Sequence, residues 1–163
     1  MNRLTTCGKV FVCLLLMTAA GGSAYAANTA TFVRTDASTQ GNWAATYGAD
    51  GYSFSTSAQS QLVNVSSFFP QNAASWVWTP STTDPRALKA PSSGATPAAT
   101  WYNNPGFYFD ITIAPGQSEQ VALYALDWDF DGRSETLQVV DGDTNAPLDI
   151  RPLSNFTSGV YVV

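Results

Sequence analysis

Between the turn-forming residues Asn103-Asn104-Pro105-Gly106 and Ala114-Pro115-Gly116-Gln117 lies a seven-residue run with apolar side chains at Phe107, Phe109, Ile111 and Ile113. Tyr108, Asp110 and Thr112 stand between them. Successive side chains of an extended chain point to opposite faces, so this run specifies a strand with one buried face. A helix of 3.6 residues per turn would scatter the same four side chains around its circumference. Similar short runs, rich in β-branched and aromatic residues and bounded by Gly, Pro, Asn and Asp, recur along the chain. Strands are expected at 41–47, 52–55, 61–65, 75–78, 100–102, 120–129, 135–140, 148–153 and 160–163. The segment 120–129 is apolar on both faces and reads as a central strand. The longest loop is expected at 80–97, and no internal repeat is evident. Short strands at this spacing predict an all-β fold, an antiparallel two-sheet sandwich of jelly-roll or galactose-binding-like type.

The chain opens with Arg3 and Lys9, an apolar run from Val10 to Ala20, and the small-residue site Ala24-Tyr25-Ala26. This is the pattern of a secretory signal peptide over 1–26, leaving one domain over 27–163. The apolar run is too short to span a bilayer, which needs about 20 residues, so no membrane insertion is expected after cleavage. Cys7 precedes the run and Cys13 lies inside it, which argues against lipidation. The expected destination is secreted, extracellular or periplasmic.

Cleavage removes both cysteines, and the chain has no histidine. A mature chain without Cys or His has no Ser-His-Asp or Cys-His nucleophile, no ordinary zinc site and no disulfide framework. Five basic residues remain against twelve acidic ones, a formal charge of −7. Nucleic acid is therefore not an expected partner, because phosphate recognition draws on clustered Lys and Arg.

The stretch ALDWDFDGRSE, 125–135, carries Asp127, Asp129 and Asp131 in a DxDxDG spacing. An EF-hand would place a Glu at the twelfth loop position, where this chain has Gln138, and would need flanking helices. The better reading is a hairpin with Asp131-Gly132 at its turn, with a non-EF calcium site as the alternative. Asp127 and Asp129, two residues apart on one strand face, also have the residue types of a glycosidase pair. Solvated or arginine-paired carboxylates are the preferred reading, and no catalytic residue, metal or cofactor is assigned.

Several blocks together resemble a module found in secreted bacterial proteins, often beside glycoside hydrolase or immunoglobulin-like domains. They are TQGNWAATYGADGYSF at 39–54, WVWTPSTTDPRAL at 76–88, ATWY at 99–102, VALYALDWDFDGRSETLQVVD at 121–141 and LSNFTSGVYVV at 153–163. The resemblance implies a non-catalytic, carbohydrate-binding-like or adhesive accessory β-sandwich. Similar modules lack the third acidic residue of the DWD stretch, so Asp131 is read as turn chemistry. They also continue past the VYVV segment, which implies that this chain is truncated and presents an open strand edge near Val163.

Nineteen aromatic residues in the mature chain, five of them tryptophan, make carbohydrate binding the leading functional expectation. Indole and phenol rings pack against the CH faces of sugars. Trp128 and one face of the Trp76-Val77-Trp78 strand are assigned to the core. Trp43, Trp101 and Tyr102, each beside Gly, Asn or Pro, are the expected ligand contacts, with a polysaccharide or cell-surface glycan as partner. Tyr47 and Tyr52 are expected to pair across the Gly48–Gly51 turn, and Asp84-Pro85-Arg86 to form a turn with a local ion pair. The alternative function is a structural or adhesive domain that pairs through an exposed edge strand.

Overall fold

A computed structural model describes residues 3–4, 28–56, 59–91 and 94–163, and within them the chain is all-β with antiparallel sheets. The expected signal peptide lies outside the described residues except for β1 (Arg3–Leu4), whose backbone runs antiparallel beside Val140 and Val139. In chain order the other strands are β2 (Thr35–Asp36), β3 (Val65–Gln71), β4 (Ala74–Thr79), β5 (Ala98–Tyr102), β6 (Tyr108–Ile113), β7 (Leu123–Ala125), β8 (Ser134–Val140), β9 (Pro147–Ser154) and β10 (Val160–Val162).

The alternating run forms β6, with Phe109, Ile111 and Ile113 buried and the residues between them partly exposed. Burying each of these side chains contributes roughly 1.5–3 kcal/mol. Their partner strand is β3, paired from Val65 opposite Ile113 to Gln71 opposite Tyr108, with a bulge between Val65 and Ser67. The strand expected at 61–65 thus begins only at Val65. Ser66, Ser67 and Pro70 disguise it as a loop. Pro70 is tolerated because β3 is an edge of its two-stranded ladder and has a side that requires no donor.

Among the described residues there are three further ladders: β4 with β5, β8 between β1 and β9, and β10 between β2 and β7. They correct several expectations. The long central strand at 120–129 shrinks to β7, which lies at the edge of its ladder. Asp127 causes this, because its carboxylate accepts hydrogen bonds from the amides of Asp131, Gly132 and Arg133 and so curls the chain out of the extended form. Strands β7 and β8 do not pair, so 126–133 is a connection between sheets rather than a hairpin tip. The expected strand at 41–47 is instead a short 3-10 turn, Trp43–Ala45. Near Val163 the expected open edge is absent, since β10 is flanked on both sides and the Val163 amide and carbonyl bond to Arg34 and Val33.

Two aromatic clusters form the core. Phe107, Phe109, Ile111 and Ile113 pack with Phe68 and Trp101, while Trp43, Tyr161 and Val163 pack with Tyr47, Tyr52 and Phe54. Within the second cluster Tyr47 stacks on Tyr161 at 4.5 Å and Tyr52 meets the edge of Trp43 at 5.1 Å. A cavity of about 430 Å³, open to solvent, is lined by residues of both clusters, among them Trp43, Tyr161, Phe68 and Phe109.

Segments far apart in the chain are tied together at Arg86. Its guanidinium pairs with Asp84 at 2.7 Å, as expected locally, and also donates to the Thr157 carbonyl at 2.9 Å. It lies 4.8 Å from the Trp128 ring and 4.9 Å from Phe130, distances that make both cation-π contacts. The Tyr124 hydroxyl donates to the Arg86 carbonyl at 2.7 Å, and the Gly41 amide donates to Pro85 at 2.9 Å. Four of the sequence blocks singled out above, GNW, DPRAL, DWDFD and SNFTSGVY, are therefore mutual structural supports.

Candidate functional site

The β4–β5 ladder carries the site. Trp76 stands opposite Thr100 and Ala74 opposite Tyr102, so alternation puts Trp76, Thr100 and Tyr102 on one face, the two rings diagonal to each other. These rings are unusually open for their size: Trp76 is 53% exposed and Tyr102 49%. They border a groove of about 590 Å³ whose apolar lining is completed by Trp78, Trp101, Phe107 and Leu126.

Asp129, Arg133 and Glu135 supply its polar groups. The Trp78 indole N–H donates to Asp129 Oδ2 at 3.3 Å, which ties the aromatic wall to the carboxylate. The Arg133 guanidinium engages all three aspartates of the DxDxDG stretch: Asp127 at 2.5 Å, Asp131 at 2.9 Å, and Asp129 in a close pair. Asp127, 1% exposed, is the buried anchor of this arrangement, and its remaining acceptor positions take the loop amides. Among the described residues, no group of three or more Asp, Glu, His or Cys side chains is arranged to hold a metal ion.

The two groove carboxyls are pushed in opposite directions. Hydrogen bonding from Arg133 lowers Asp129 to about 2, so it is an anion at any ordinary pH. Burial raises Glu135 to about 7, with Arg133 only partly opposing the shift. No described residue donates a hydrogen bond to the Glu135 carboxyl, and near neutral pH it exists in both its donor and acceptor forms. The groove therefore combines exposed ring faces, a fixed anion, a guanidinium with hydrogen-bonding capacity, and a carboxyl able to donate or accept.

Of the expected ligand contacts, Tyr102 lines the groove with its ring exposed. Trp101 lines it too, although its ring packs edge-on against Phe109 at 5.0 Å and belongs largely to the core. Trp43 is a correction: it is 5% exposed, and its indole N–H donates to the Lys89 carbonyl at 2.9 Å within the other cluster. The neighbouring Gly41, which suggested an exposed turn, instead permits close approach, since a Cβ there would lie 2.0 Å from the Ala87 carbonyl oxygen. Trp76 and Trp78, whose i, i+2 spacing was the available signal, are groove residues rather than core. Trp128 is only partly buried, under Arg86. Arg133 and Glu135 were also missed as groove residues.

Comparison of the chain with protein-family models, curated proteins and solved structures finds no match.

Proposed function

We propose that the protein is an exported, non-catalytic carbohydrate-binding module whose ligand is a polysaccharide or cell-surface glycan. The observation that carries this reading is the pair of exposed rings, Trp76 and Tyr102, on one strand face beside the Asp129–Arg133 ion pair. Flat rings suit the CH face of a pyranose, while Asp129 accepts from sugar hydroxyls and Arg133 donates to them. The sequence resemblance to accessory modules of secreted proteins points the same way. Glycan-array binding followed by titration calorimetry tests it. Trp76→Ala and Tyr102→Ala should each weaken binding tenfold or more, about 1.4 kcal/mol, with the fold intact by circular dichroism. Absence of any glycan binding by a folded protein would remove the proposal.

A second reading, an adhesive domain that pairs through a strand edge, is favoured by one observation. Strands β3 and β4 each have an outer side with no ladder partner among the described residues, and Phe69 on β3 and Val77 on β4 are exposed. A concentration-dependent increase in molecular mass that Phe69→Lys abolishes would select it.

A further inference from the structure

The cavity between the two core clusters and the surface groove share a wall, since Trp78, Thr100, Trp101, Phe107, Leu126 and Glu135 line both. The cavity opens to solvent past the exposed Thr46, Asp50 and Gln120, and at about 430 Å³ it is roughly three times the ~150 Å³ cavity that admits benzene in another protein. Taking ~30 Å³ per water-sized unit, it has room for a molecule of roughly ten to fifteen non-hydrogen atoms. Its lining includes rings of both clusters, Trp43 and Tyr161 from one and Phe68 and Phe109 from the other. Among its charged groups, Glu119 accepts from Asn64 and Arg86 pairs with Asp84, whereas the partly buried Glu135 carboxyl receives no hydrogen bond from a described residue. Ligand sites have this composition: a largely apolar cavity of several hundred Å³ with a few placed polar groups.

We propose that this cavity is a second binding site, for a small flat aromatic molecule bearing one hydroxyl that donates to the Glu135 carboxylate. The rings stack and edge-pack within the aromatic walls, and the hydroxyl provides the donor that Glu135 lacks. Trp76, the most exposed ring of the groove, does not line the cavity, so its substitution distinguishes the two sites although they share Glu135.

The test is calorimetric titration of the purified protein at pH 8, where Glu135 is ionised, with 2-naphthol and with its isostere 2-methylnaphthalene, which lacks the hydroxyl. The expected result is one equivalent of 2-naphthol bound, about fivefold tighter than the isostere. Glu135→Leu should erase that preference, Ala122→Leu should abolish binding of both by filling the cavity, and Trp76→Ala should leave both unchanged. Should Ala122→Leu fail to fold, Ala99→Leu fills the same cavity from β5. No binding up to 1 mM (roughly −4 kcal/mol) would overturn the proposal. So would binding that Trp76→Ala removes and the cavity-filling variant leaves intact, or a preference for the hydroxyl that survives Glu135→Leu.

Discussion

Glu135 makes stability depend on pH in a direction opposite to that of most carboxylates. Its ordinary value of 4.5 is raised to about 7 by burial, so the folded state holds a proton that the unfolded state releases between those values. Its contribution is therefore most favourable below pH 4.5, declines as pH rises towards 7, and is flat above, a difference of about 3 kcal/mol at most. Asp129 and Asp36 act in the opposite sense. Arg133 lowers the first and Thr39 and Ser38 hydroxyls lower the second, so their stabilisation is present above pH 4 and lost on acidification. The protein should be most stable near pH 4–5. Urea unfolding at pH 4.5 and pH 8 should show the decline, and Glu135→Gln should abolish it, raising stability at pH 8 by about 2–3 kcal/mol. A second outcome at this scale concerns Asp127, whose loss strands three loop amides and takes from Arg133 its buried partner. Asp127→Ala should cost about 3 kcal/mol, whereas Asp129→Ala, exposed and paired, should cost under about 1 kcal/mol. Calcium or EDTA should leave the wild-type melting temperature unchanged, because Arg133 already satisfies the carboxylates that a cation would need. The three aspartates were legible in the sequence, but their arbiter was not: Arg133 is adjacent to them in the chain, and only the curl of the loop decides that it turns inward.

At the scale of elements, legibility followed periodicity. Strands β6, β5, β8 and β9 announce themselves by alternation and fall close to where they were expected. Strand β3 did not, because Ser and Pro within it mimic turn chemistry, and β7 was overextended because Asp127 ends it through side-chain bonds that have no periodic signature. The 3-10 turn at Trp43–Ala45 was misread for a related reason. Glycine marks both an exposed turn and a site where two backbones nearly touch, and composition does not separate the two. At Gly41 the second meaning holds: its amide donates to Pro85, its carbonyl accepts from Lys89, and the missing side chain lets the two loops meet. Gly41→Ala would drive a methyl into the Ala87 backbone, which has no rotamer to yield. It should destabilise the protein by on the order of 3 kcal/mol, read from chemical denaturation, and loosen Trp43, read as a red shift of tryptophan emission in the folded state. The groove was half legible: local context singles out Tyr102 and Trp101, whereas the premise that a sandwich strand buries one face put one face of the Trp76-Val77-Trp78 strand in the core without saying which.

For the molecule as a whole, the all-β class was readable but the strand pairing was not. Asp36 pairs with Tyr161, and the Tyr161 hydroxyl donates to the Gln40 carbonyl across 121 residues of sequence. Such pairings are selected by the packing of whole sheets and leave no mark on local pattern. They also govern when the fold can form. Strand β10 is the middle strand of its ladder, yet synthesis delivers it after both of its neighbours. Until the ribosome releases residues 160–162, β2 and β7 lack the strand that joins them, so this ladder closes only once residue 162 has been made.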